Sequence, residues 1–156
     1  MKIDKIVKTT GVVCSRLSFL LVILVSSDVL LRYIFNFSSA SLYELEWHIF
    51  ALIFLFGSVY TLYIGEHVRV DVFYNKLSKK NKKIIDLLGN VFFLIPFGLV
   101  ISYTSLPFVQ DSYRILESSP DPGGLPYRFI IKSIITISFF LLSVVGVFKI
   151  MNSLKS

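Results

Sequence analysis

Residues 128–151 read RFIIKSIITISFFLLSVVGVFKIM, an apolar run whose three basic residues lie near its ends. As a helix rising about 1.5 Å per residue, this run is long enough to cross a hydrocarbon core about 30 Å thick. Runs of the same character occupy residues 12–35, 45–65 and 84–109. Strand-like alternation is missing from all four, and backbone in lipid must be hydrogen-bonded within its own segment. We therefore predict an all-α integral membrane protein, a single four-helix domain over residues 1–156.

Composition supports a membrane protein and excludes several other classes. Hydrophobic residues make up 54% of the chain and charged residues 17%, against about 45–50% and 25% in typical soluble domains. The net charge is +6, but the basic residues flank the apolar runs, so we expect membrane lipids and no nucleic acid as partners. Cys14 is the single cysteine, which excludes an intrachain disulfide and a thiolate metal site.

The distribution of basic residues predicts the orientation of the helices. Lysines and arginines concentrate before the first run, between the second and third, and after the fourth, whereas the other connections hold little more than Arg32 and Arg114. By the positive-inside rule, both termini and the middle loop are then cytoplasmic. No small-x-small cleavage motif follows the first run cleanly, so we expect a retained helix in place of a signal peptide.

The segment after the second run has a helical repeat of its own. Val70, Phe73, Tyr74 and Leu77 fall on one helical face and polar residues on the other. This pattern predicts a short amphipathic helix over residues 70–79, lying in the membrane interface between the second and third transmembrane helices. A solvated basic loop is the alternative.

Local signals predict where helices begin, bend and end. Ser41 and Glu44 have the spacing of a capping box, in which each side chain bonds a free amide of the first turn. Gly65 is placed to terminate the second helix. Pro96 and Pro107 predict a bend in the third, because proline removes a backbone donor and clashes with the preceding turn.

Charged residues within the runs need partners. Asp28 and Arg32 are one helical turn apart, so we expect an ion pair on a shared face. The alternative interpretation of Asp28 is that it takes part in a proton or ion relay. Glu46 suits the positive end of the helix dipole or a contact with a partner, and Trp47 lies where an aromatic belt is expected.

Small residues mark a packing face on the second helix. Gly57, Thr61 and Gly65 recur every four residues, which lets another helix approach closely. That helix belongs either to this chain or to a different subunit.

Enzyme chemistry is not indicated. His48 and His67 lie about 28 Å apart along a helix and cannot clasp one haem. Neither H-E-x-x-H nor G-x-S-x-G occurs. We therefore predict a protein that is not an enzyme, with no catalytic residues, cofactor or metal site.

Several motifs together resemble the small membrane subunit of tripartite ATP-independent periplasmic (TRAP) transporters, over nearly the whole chain. They are Asp28-Val29-Leu30-Leu31-Arg32-Tyr33, Glu46-Trp47 and the most specific string, Gly57-x-x-Tyr60-x-Leu62-x-x-Gly65-x-His67-Val68-Arg69-Val70-Asp71. The connection from Glu117 to Arg128, rich in proline and glycine, resembles one branch of the family.

The resemblance implies a three-part system in the bacterial inner membrane. A periplasmic binding protein delivers an organic acid or related solute, and a large elevator-type subunit with sodium sites transports it. The small subunit then extends the static scaffold against which the mobile domain slides. An independent small oligomeric transporter or channel is the alternative.

Candidate interfaces follow from this resemblance together with the packing patterns. Packing or partner contacts are expected from Asp28, Arg32, Glu46, Trp47, Gly57, Thr61, Gly65, His67, Arg69 and Asp71. The connection over residues 110–127 is the candidate surface for the binding protein, through Asp111, Arg114 and Glu117.

Overall fold

The computed structural model describes residues 2–65, 74 and 77–155. Its helices are α1 (Lys2–Ile34), α2 (Ala40–Ile64), α3 (Lys79–Gly89), α4 (Ile95–Arg114) and α5 (Phe129–Lys155). Throughout these described residues the regular structure is helical, with no strand. Four helical stretches are long and apolar enough to cross a membrane, namely Asp4–Ile34, Ala40–Ile64, Lys80–Arg114 and Phe129–Ser153. The predicted all-helical membrane fold class with four such helices is confirmed.

Some predictions fall outside this part of the chain. His67, Arg69, Asp71 and most of the predicted interfacial helix over residues 70–79 lie outside the described residues. Tyr74 is described, and its hydroxyl donates to the Asp86 carboxylate of α3 at 2.7 Å.

The transmembrane helices form a row in the order α1, α2, α5, α4. The principal contacts join α1 to α2, α2 to α5, and α5 to α4. Burial follows this order, since 33% of the most apolar window of α5 is buried, against 6% in α1 and in the α3–α4 helix. The two broad faces of the row therefore carry exposed apolar side chains, for which lipid or another membrane protein is the fitting neighbour.

Small residues bring α4 and α5 close together. A Cβ added at Gly98 would lie 3.0 Å from the Phe139 backbone oxygen, and one at Gly146 would lie 2.6 Å from Leu94 Cδ2. Ser102 Oγ donates to the Thr136 carbonyl oxygen at 3.1 Å. Close backbone approach and hydroxyl hydrogen bonds are how helices associate in lipid, where the hydrophobic effect does not drive one helix onto another.

Both neighbours of α2, α1 and α5, contact it near its C-terminus. The Tyr60 ring covers Gly11, where an added Cβ would come within 2.5 Å of the ring. Tyr63 Oη donates to Asp4 Oδ1 at 2.6 Å, and Lys149 Nζ donates to the Leu62 carbonyl oxygen at 2.7 Å. The Leu62 oxygen also accepts from the Gly65 N–H at 3.2 Å, so Lys149 is a second donor to a carbonyl at the C-terminus of α2.

The two ends of α2 gave opposite outcomes for the local predictions. Gly65 ends the helix in the left-handed conformation at φ 83°, so the predicted C-terminus is confirmed. The predicted capping box is wrong. Ser39 is the N-cap and makes no side-chain capping bond, while Ser41 lies inside the helix with its hydroxyl 2.9 Å from that of Ser39. Glu44 is engaged by a distant loop, as described below.

A π-helical turn, Asn90–Leu94, joins α3 to α4 just before Pro96. Within it, the Ile95 N–H bonds the Asn90 oxygen five residues earlier. Such a turn is a known cause of helix bending and absorbs the backbone mismatch that proline creates. The α3–α4 helix, Lys80–Arg114, has 35 residues. At about 1.5 Å per residue it exceeds the hydrocarbon thickness, so it must tilt or protrude.

Candidate functional site

Glu44, in the second turn of α2, clamps the loop between α4 and α5 onto that helix. The Glu44 carboxylate accepts hydrogen bonds from Ser119 Oγ and, at 2.6 Å, from the Leu125 backbone N–H. Glu44 is 4% exposed. A buried carboxylate with two donors is well stabilised, because hydrogen bonds to a charged acceptor are the stronger ones. The loop therefore has a fixed shape.

Bonds within the loop complete its shape. The Ser119 N–H donates to the Leu125 oxygen at 3.0 Å, and the Arg128 N–H donates to the Glu117 oxygen at 2.8 Å. Leu116 and Tyr127 adopt the left-handed conformation at either end, with φ of 46° and 62°. Such strain at non-glycine residues persists only where surrounding contacts hold it.

Glu117 forms an ion pair with Lys132 of α5. The ammonium group donates to the carboxylate, and this bond holds the pKa of Glu117 below its ordinary value. The Glu117 carboxylate is therefore charged at neutral pH. The pair ties the start of the loop to the helix that follows it.

Asp111 and Arg114 form the exposed rim beside this loop. Their side chains are 74% and 75% exposed and approach each other to 3.6 Å. An exposed pair of this kind contributes little to stability. Of the three predicted docking residues, Asp111 and Arg114 are accessible to a partner, whereas Glu117 is engaged within the chain.

The predicted charged residues of α1 and α2 come together. Arg32 donates to the Asp28 carboxylate, as predicted from their spacing, and Asp28 is 3% exposed. Glu46 lies within electrostatic reach of both. Among the described residues, no donor reaches the buried Glu46 Oε1. The structure thus places Glu46 near the predicted Asp28–Arg32 pair, a proximity that was not expected from the sequence.

The small-residue face of α2 is open at Gly57. An added Cβ there would meet no atom within 4 Å in the described part of the chain, and at Gly65 the nearest atom is Lys149 Nζ at 3.9 Å. Thr61 Oγ1 bonds the Ser58 oxygen of its own helix at 3.1 Å. The face is therefore available to a neighbour outside the chain. The glycines that do permit close packing, Gly98 and Gly146, were not identified from sequence.

Comparison with known proteins identifies the kind of protein that carries this loop and these faces. Residues 21–156 match the family described as "Tripartite ATP-independent periplasmic transporters, DctQ component". The chain belongs to this family. A protein of Haemophilus influenzae named "Putative TRAP transporter small permease protein" is 28% identical over 136 residues, covering 87% of this chain and 84% of that protein.

Membership fixes the general role of this DctQ component. It is part of a transporter and not an enzyme, and it is a multi-pass membrane protein. Membership also implies that it associates with other components of a TRAP transporter. The resemblance drawn from the sequence motifs is confirmed.

Two residues that fix the loop of this DctQ component, Lys132 and Ser119, were not predicted from the sequence. Lys132 was considered only as a basic residue near the start of the apolar run over residues 128–151. Ser119 was considered only as part of the turn-rich connection over residues 117–128. A lysine five residues into an apolar run was the available signal, since a charge at that depth normally has a partner. No comparable signal existed for Ser119, whose acceptor lies 75 positions away in sequence.

Proposed function

We propose that this chain is the non-catalytic scaffold subunit of a TRAP transporter in the bacterial inner membrane. It holds a large elevator-type subunit in place during sodium-driven uptake of an organic acid or related solute, which a periplasmic binding protein delivers. The observation that carries the proposal is the open row of helices in a member of the DctQ family. A row presents a wide flat surface to a neighbouring subunit, as a static support requires.

The internal contacts favour a rigid body. Interhelical bonds tie α5 to both of its neighbours, through Ser102 and Thr136 on one side and Lys149 on the other. Rigidity is useful in a scaffold because a mobile domain can slide only against something that does not follow it. The Asp28–Arg32 ion pair stabilises α1. The open face around Gly57 is the proposed contact surface for the large subunit.

The orientation of the chain belongs to this proposal. With both termini in the cytoplasm, the loop clamped by Glu44 and the Asp111–Arg114 rim lie on the periplasmic side, where a binding protein arrives. The bonds from Glu44 to the loop support a docking role. Because the loop is already ordered, little conformational entropy is lost when a partner binds it.

Reconstitution into liposomes tests the scaffold role. We expect no sodium-dependent uptake of labelled carboxylates with this chain alone or with the large subunit alone. Uptake should appear when both membrane subunits and the binding protein are present. Uptake by the chain alone would instead favour an independent transporter or channel and would refute the scaffold proposal.

Charge reversal at the exposed rim tests the docking surface. Asp111→Lys should lower uptake several-fold at limiting binding protein and leave it unchanged at saturating binding protein, because the change weakens encounter without altering transport. Asp111 is suited to this test since its side chain is 74% exposed. Lys83→Glu, a charge reversal at the exposed start of the third span, is the matched control. Equal uptake by Asp111→Lys and wild type at limiting binding protein would remove the docking role.

A further inference from the structure

An apolar groove runs between α2 and α5, alongside the part of α2 that precedes Gly57. Its volume is about 550 Å³, within the range of about 300–1,000 Å³ typical of ligand sites. Side chains from three helices line it, including Ala51, Phe54, Phe108, Ile135 and Phe139. The walls are apolar along most of their length, and polar groups collect at one end.

Cations and aromatic rings form that polar end, which is called here the mouth of the groove. The Arg128 guanidinium lies 5.9 Å from the centre of the Trp47 ring, and Lys132 Nζ lies 4.0 Å from the centre of the Phe108 ring. Lys132 is neutralised by its ion pair with Glu117. Arg128 has no carboxylate within ion-pairing distance in the described residues, although Glu44 and Glu117 both lie within its electrostatic range. The mouth therefore offers the donors of a guanidinium that forms no ion pair with a described carboxylate to an anion from outside the chain.

The groove has the length of one membrane leaflet. Arg128 immediately precedes α5, and Phe139 lies 11 residues further along at the far end of the groove. That separation is about 16 Å along a helix, close to half of a hydrocarbon core about 30 Å thick. Arg128 and Trp47 are thus at headgroup level, where such side chains are enriched.

We propose that this groove binds one membrane phospholipid, with an acyl chain along α2 and α5 and the phosphate at the Arg128 guanidinium. Arginine presents a planar fork of donors that suits a phosphate. A transmembrane helix of another subunit is the alternative occupant of the apolar length, and the labelling experiment below separates the two. A phospholipid carries both parts at the required spacing. The inference does not depend on the scaffold role.

Photolabelling in nanodiscs tests the proposal. The probe is phosphatidylglycerol with a diazirine on one acyl chain, and the full chain is examined alone and together with the large subunit. After irradiation, we expect cross-linked peptides from residues 50–55 and 131–139 in both preparations. No label in these peptides, or label that disappears when the large subunit is added, would overturn the proposal. The second result would make the groove a subunit interface.

Four variants separate the effect of charge from the effect of space. Arg128→Gln should reduce groove labelling several-fold, and Arg128→Lys should restore part of it. Ala51→Phe should also reduce labelling, because the added ring fills the groove without changing any charge. Arg114→Gln removes an exposed arginine near the same end of the helices and should label as wild type does. Equal groove labelling of Arg128→Gln and wild type would contradict a phosphate contact.

Discussion

Replacing Gly98 with leucine is expected to lower the free energy of unfolding by about 3 kcal/mol, the upper part of the range for overpacking a well-packed interface. A Cβ at this position would already lie 3.0 Å from the Phe139 oxygen, so α4 must move away from α5. The Ser102 and Ser105 bonds to Thr136 would lengthen with that movement. Unfolding in a dodecyl sulfate titration, followed by the fluorescence of Trp47, measures the change.

Gly57→Leu is the matched control, since it makes the same substitution within α2 where an added Cβ meets no described atom within 4 Å. Its unfolding free energy should stay the same or rise by up to about 1 kcal/mol, because glycine is a poor helix former. If the scaffold proposal holds, the Gly57→Leu chain should instead co-purify more weakly with the large subunit. Similar unfolding curves for Gly98→Leu and Gly57→Leu would contradict the close α4–α5 contact.

Glu44→Gln is expected to release the loop over residues 115–127 while leaving the helices in place. The amide oxygen can accept from the Leu125 N–H and the Ser119 hydroxyl can turn to accept from the NH₂ group, but both bonds then lack the charge of the carboxylate and are weaker. Hydrogen exchange at the Leu125 amide should accelerate by roughly tenfold or more, since bonds to charged acceptors are strong and local opening governs exchange. Exchange mass spectrometry in micelles measures the rate.

Glu46→Gln provides the control for this experiment. Glu46 lies two residues further along α2, and no donor in the described residues reaches its buried oxygen. Its substitution should leave exchange in the loop unchanged. Unaltered exchange at Leu125 in Glu44→Gln would mean that the backbone bonds of the loop, such as Ser119 to Leu125, suffice without the clamp.

The wrong prediction of a capping box at the start of α2 shows a limit of rules that use only neighbouring residues. The spacing of Ser41 and Glu44 fits the motif, and nothing nearby in sequence competes for the carboxylate. Competition comes from Ser119 and Leu125, 75 and 81 positions away. Glu44 binds those donors in place of its own helix terminus because a buried N–H without a partner costs more than an exposed one.

The sequence alone determined the number and type of the transmembrane helices, the left-handed end at Gly65 and the Asp28–Arg32 pair. Each depends on residues within one segment, where hydropathy, helix rise and conformational preference act locally. Tertiary structure decided the row order of the helices, the clamp at Glu44 and the contact roles of Gly98 and Gly146. A helical repeat shows which side chains share a face, but which neighbour meets that face depends on the packing of all four spans together.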